Sequence, residues 1–304
     1  MRNLNLNLIS MASAALLAVA AASCSVRVNE TEKRDIIFDV AVAANTRNAS
    51  AAALFHPEDV DIAVCGYSLP ASMSWSSGNQ YAVLEMDGVR ATHTEGHIWA
   101  PSESHKWPDG DRTMTIFAYS PYGRGEFGDD GSIRVNDYSV SEGGDLMFCA
   151  AEDRSYNTLG RINLSFTRAL CMVDFSVMSS LDYSRTPTVS RLEISGLYSE
   201  GDFCTQPSPV WTTKGETCGF LFFEGETPVT DQTIDFGECL YMIPQDGTMK
   251  ITLTLDLQTG DAVQEDLVLT AEEQVSWQTG KHYSYILKIG NDLRLTVQKA
   301  SANV

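Results

Sequence analysis

Beyond residue 22 the 304-residue chain has no long apolar run, and it is short of basic side chains. Its 21 Lys and Arg face 40 Asp and Glu, a net charge of −19. That shortage excludes a nucleic-acid binder, because a phosphate backbone demands a basic surface. It also excludes docking on anionic lipid through protein charge. No segment carries a sustained helical period. The motifs GxSxG, SxxK, HExxH and the P-loop are all missing, and no nucleophile stands beside a recognisable base. The expectation is therefore not an enzyme, with no cofactor. The six cysteines after Cys24 include no CxxC. Most sit in apolar runs, such as Met147-Phe148-Cys149, and read as small buried hydrophobes. Cys204 and Cys218 lie in polar surroundings and form the one pair worth testing as a bridge.

What is present is core-forming material. Hydrophobic residues make up 43% and charged residues 20%, enough to bury a core and too apolar for a disordered chain. The length suggests two domains of about 100–200 residues each. Residues 1–23 have a basic start at Arg2, an apolar or small middle over Leu8–Ala22 and small residues at the end, the layout of a signal peptide. Ala21-Ala22-Ser23 runs directly into Cys24, which resembles a bacterial lipobox. In that motif the peptidase cuts before the cysteine and the thiol receives a lipid. Cys24 is thus the candidate lipidation site, its acyl chains the anchor to an outer membrane.

The remainder reads as short strands divided by turn signals. Ile36, Phe38, Val40 and Val42 alternate with Ile37, Asp39 and Ala41, a strand with one strongly apolar face. The run 45–53 is small and polar, a loop containing Arg47. Further strands are expected at Ile62–Val64, Tyr81–Met86, Thr113–Tyr119 and Ile133–Tyr138, then at Ile162–Phe166, Cys171–Val177 and Gly219–Phe223. The cleanest alternation is Ile251, Leu253, Leu255 and Leu257 against Thr252, Thr254 and Asp256. The last strand places Leu293, Leu295 and Val297 in one row. Many short strands with Gly, Asn and Asp turns imply β-sandwiches of about 100 residues each. Metal chemistry has thin support. His93, Glu95 and His97 would share a face at period 2, with His105 a possible fourth ligand. Asp109-Gly110-Asp111 and Asp129-Asp130-Gly131 read as acidic turns. Trp75, Trp99, Trp107, Tyr119 and Tyr122 read as core aromatics or, if exposed, a sugar-stacking surface.

Taken in order, several segments resemble the fimbrillin family, the Mfa-like and related subunits of type V pili. They are Thr115-Ile116-Phe117-Ala118-Tyr119-Ser120-Pro121, Asp145-Leu146-Met147-Phe148, Ile162–Phe166 with Val173-Asp174-Phe175, and Leu192–Leu197. Tyr241-Met242-Ile243-Pro244-Gln245 and Trp277-x-x-Gly280-Lys281-x-Tyr283-x-Tyr285 complete the series. Arg168 stands where a His often precedes the Ala-Leu pair. The resemblance implies an all-β chain of two tandem transthyretin-like antiparallel sandwiches: a signal peptide over 1–23, a lipidated tether with a removable strand over 24–47, and sandwiches over 48–156 and 157–304. It implies a stalk, tip or anchor subunit of a cell-surface fimbria on a Gram-negative outer membrane, serving adhesion. Its partners would be other pilus subunits and an arginine-specific protease cutting after Arg47. Strand exchange would involve Ile36, Phe38, Val40 and Val42 at one end and Leu293, Leu295 and Val297 at the other. The alternative is a non-polymerising surface lipoprotein that binds a glycan or host ligand.

Overall fold

The computed structural model describes residues 34–42, 60–141, 144–156, 159–182 and 184–300. Strand is the main element, with turns and loops making up most of the rest. The first group comprises β1 (Ile37–Val42), β2 (Ile62–Pro70), β3 (Val83–Glu95), β4 (Ile98–Pro101) and β5 (Arg112–Ser120). The chain continues through β6 (Glu126–Phe127), β7 (Ile133–Ser139), β8 (Met147–Ser155), β9 (Arg161–Arg168) and β10 (Cys171–Ser179). Two very long strands follow, β11 (Arg185–Cys204) and β12 (Val210–Pro228), then β13 (Ile234–Asp235) and β14 (Leu240–Met242). The last are β15 (Asp246–Thr259), β16 (Ala262–Ser276), β17 (His282–Ile289) and β18 (Leu295–Lys299).

Seven strands close into a barrel in the order β1-β4-β3-β2-β5-β8-β9. Its interior holds Ile62, Val64, Met86, Trp99, Met114, Ile116, Leu164 and Phe166. β2 and β5 are buried on both faces: a one-turn helix at Trp75–Gly78 lays Trp75 on their outer side against Tyr67 and Phe117. The rest forms two sheets. One runs β13-β10-β17-β18, with β14 also on β10; the other runs β16-β15-β11-β7-β6, with β12 on the opposite edge of β11. Val173, Phe175, Tyr285 and Leu287 from the first meet Leu192, Ile194, Leu253 and Leu255 from the second in one core. The alternating row of β15 points inward, as its sequence requires: Ile251, Leu253 and Leu255 are fully buried.

Pairing, not chain order, sorts the strands around residue 156. β9 follows that point yet belongs to the barrel, whereas β6 and β7 precede it and join the sheet of β11. A further cluster fills the joint, with Tyr138, Leu146, Leu170, Phe203 and Ile243 at its centre. Arg168 ends β9 here with its side chain 4% exposed, and its Nε donates to Asp145 Oδ2 at 2.7 Å. An arginine at this position is therefore an internal tie between the β7–β8 connection and the barrel.

Candidate functional site

The apolar-faced strand expected at Ile36–Val42 is β1, and the barrel closes through it. On one side β1 runs parallel to β9 over six residue pairs, from Ile37 opposite Arg161 to Val42 opposite Phe166. On the other it is antiparallel to β4, with Phe38 opposite Trp99 and Asp39 opposite Ile98. The entry is pinned as well: Ile36 N donates to His105 O at 2.7 Å, Ile37 N to Gly160 O at 3.1 Å, and Ser104 Oγ to Asp35 Oδ1 at 2.7 Å. Gly160 has φ +69°, and a Cβ there would collide with the Asp35 carbonyl oxygen, so only glycine lets the two segments pass this closely.

The alternation read from the sequence is realised in three dimensions. Ile36, Phe38 and Val40 are 1%, 0% and 3% exposed and reach the barrel interior. Val42 packs partly buried at the end of the row. Burying a side chain of this size is worth about 1.5–3 kcal/mol, so the three together contribute on the order of 5–9 kcal/mol. That is comparable to the whole net stability of an ordinary domain. Without β1 the barrel would present an apolar slot between two strand edges, β4 and β9.

At the other end β18 is an edge strand, antiparallel to β17 from Leu295 opposite Ile289 to Lys299 opposite Tyr285. Leu295 is buried and Val297 packs on the same core. Leu293 departs from the expected row. It is not in the strand but in a turn with φ +58°, where its N–H donates to Gly290 O at 2.9 Å, although its side chain still reaches the core. The turn residues Gly290, Asn291 and Asp292 override the apolar alternation. Cys24 and Arg47 lie outside the described residues.

The other candidates are dispersed. A bulge separates His93 from Glu95, and His97 sits in the turn beyond, so the period-2 face does not persist. The His93 ring is engaged with Gly96 O at 3.0 Å and lies 4.8 Å from Trp99. His105 serves β1 through its backbone. Among the described residues no group of three His, Cys, Asp or Glu is placed to hold a metal. Asp130 caps its own turn, accepting from Ser132 N at 2.9 Å; the Ser132 hydroxyl first, and then that backbone bond, hold its carboxyl below the usual range. Trp75, Trp99, Trp107 and Tyr119 are core residues, and of the five singled out only Tyr122 is exposed. The six described cysteines are free thiols. Cys204 lies opposite Val210 and Cys218 opposite Leu197, so seven residues of ribbon, roughly 23 Å at strand rise, separate the suspected pair.

What the sequence reading missed is the reach of the β11–β12 ribbon, 20 and 19 residues long. Four register shifts break its alternation into pieces that look like separate short strands.

Residues 58–303 match the profile of the fimbrillin-like family. The chain belongs to that family. Membership makes it a fimbria-related surface protein. No curated protein matches the sequence. Among solved structures, it is similar to a fimbrial protein from Bacteroides vulgatus at 18% identity and a TM-score of 0.62, covering 88% of this chain and 98% of that one. A candidate cell adhesion protein from Bacteroides uniformis is similar at 15% identity and TM-score 0.55, over 88% of this chain and 97% of the other. At such identities the likeness speaks for the fold.

Proposed function

We propose that this fimbrillin-like protein is a subunit of a surface fimbria, exported as a lipoprotein through Cys24, in which β1 is a removable closing strand. The observation that carries the reading is the seating of Ile36, Phe38 and Val40 between β4 and β9 in an otherwise continuous ring. An arginine-specific protease cutting after Arg47 would sever β1 and the lipid together from the rest of the chain. The vacated slot would expose apolar surface and two strand edges, a state that favours capture of a strand from another subunit. Assembly would then be coupled to cleavage, with the refilling strand restoring what β1 had supplied. The C-terminal row Leu295 and Val297, lying on an edge, is the segment of this chain best placed to be donated.

The test replaces Arg47 and follows the protein on the cell surface. Arg47→Ala is expected to stay intact from Cys24 onward, lipidated and monomeric, while the wild type loses residues before Asn48 and polymerises. Cys24→Ala is expected to lose fatty-acid labelling. Polymerisation of Arg47→Ala at the wild-type rate with β1 still attached would reject the mechanism.

A further inference from the structure

A cleft of about 620 Å³ opens at the joint, between the barrel end and the two-sheet body. It is lined by the ends of β8 and β9, the start of β12, the β14–β15 connection and the turn before β17. From this geometry we propose that the cleft binds a short neutral oligosaccharide. The proposal is independent of strand exchange and applies to a monomer as much as to a fibre.

Three features carry it. The first is a rigid aromatic floor. Trp211 is only partly buried, yet its indole cannot turn: Nε1 donates to Ala169 O at 2.8 Å, and the ring packs on Phe203 and Tyr138 at 5.1 and 5.3 Å. Val210, 49% exposed, and Phe148 and Pro244 extend the apolar surface. The apolar C–H face of a pyranose fits such a fixed plane, and no side-chain entropy is spent on ordering it.

The second is a stiff wall. The Gln245 side chain accepts from Tyr198 N at 2.8 Å and donates to Tyr198 O and Ile243 O, both at 3.0 Å. Its own carbonyl accepts from Trp277 N at 2.9 Å. The residues on either side of Gln245 are thereby fixed to β11 and to the β16–β17 turn. This accounts physically for the Ile243-Pro244-Gln245 and Trp277 motifs meeting at one place.

The third is the chemistry of the rim. Thr213, Asp246, Gln278 and Thr279 offer hydroxyls, an amide and a carboxylate at the surface, and among the described residues no Lys or Arg lines the cleft. Sugar hydroxyls both donate and accept, which matches this mixture. Phosphate, sulfate and carboxylate ligands have no cationic partner here and face a chain of net charge −19. The volume falls in the range of about 300–1,000 Å³ typical of small-ligand sites, so the ligand is a short oligomer rather than a single small ion.

The test titrates the purified mature chain, kept monomeric, with maltotetraose, cellotetraose and mannotetraose, following heat and tryptophan fluorescence, with sialyllactose as the anionic control. At least one neutral sugar is expected to bind and sialyllactose is not. Val210→Arg, at an exposed position that leaves the core intact, lays a long charged side chain across the apolar floor and should weaken binding about tenfold. Asp246→Asn should weaken it less, and Trp211→Phe should also diminish the fluorescence response, leaving the share of Trp277. Failure of all three neutral sugars to bind a folded chain would overturn the proposal. So would unchanged affinity in Val210→Arg, or preference for the anionic sugar. Blocked polymerisation with intact sugar binding, or the reverse, separates this site from the strand mechanism.

Discussion

The two terminal strands have similar apolar patterns and very different places in the molecule. β1 has a neighbour on each side and sends Ile36, Phe38 and Val40 into a closed ring. Among the described residues β18 has one strand partner, β17, and offers Leu295 and part of Val297. Removing the first breaks a circuit; removing the second peels an edge. An apolar alternation therefore says that a strand must be covered, whereas the number of its neighbours decides what its loss would expose.

This contrast can be broken by mutation, and the largest effect belongs to β1. Phe38→Ala removes a fully buried ring from the barrel and should cost about 3–5 kcal/mol in urea unfolding. A loss near 1 kcal/mol would mean that the slot can collapse and that β1 is not essential to closure. Next is the joint that both regions share. Asp145→Ala leaves the Arg168 guanidinium buried without its partner and should cost about 3–5 kcal/mol. Replacing both, as Asp145→Leu with Arg168→Met, should recover most of it. If the double variant is no better than the single, the pair is more than an internal tie.

Leu295→Ala on β18 should cost about 2 kcal/mol, at the low end for a core leucine because an edge can relax. A cost equal to that of Phe38→Ala would erase the distinction between the two ends. Smaller still is a pH effect at the joint. Burial raises the Asp145 carboxyl above the usual range, and Arg168 offsets this only in part. A raised acid contributes stability that is fully present below its unfolded pKa and is lost as pH rises through the folded one. Asp145→Asn should flatten that decline, read as Tm across the range from pH 4 upward. The smallest perturbation is chemical. Burial raises the Cys149 and Cys171 thiols and pushes Cys239 up to about 12. In the native chain iodoacetamide should label Cys204 and Cys218 first, and fast labelling of Cys149 would show an open barrel.

Legibility followed the physics of each segment. The β1 row was readable because every second residue is large and apolar over a strand's full length, and the burial of Ile36, Phe38 and Val40 matches it. The turn at Gly290–Leu293 misled because three local hydrogen bonds outweigh one more apolar position. The β11–β12 ribbon was hidden by its bulges, since each register shift inverts the face on which the next residues lie. His93, Glu95 and His97 failed as a set for the same reason. The cleft has no signature in one dimension, although the Gln245 and Trp277 motifs that shape it stand in the sequence as separate strings.

Local chemistry was thus enough for the all-β class, most strand faces and the family likeness. Periodicity, turn residues and charge act over a few neighbours and survive in one dimension. Tertiary structure alone decided that β1 closes a ring, that β9 crosses to the barrel while β7 leaves it, and that Trp211, Asp246 and Gln278 meet in one cleft. Those outcomes depend on which edges remain free after each strand finds its partner, a competition among distant segments that no short stretch of sequence contains.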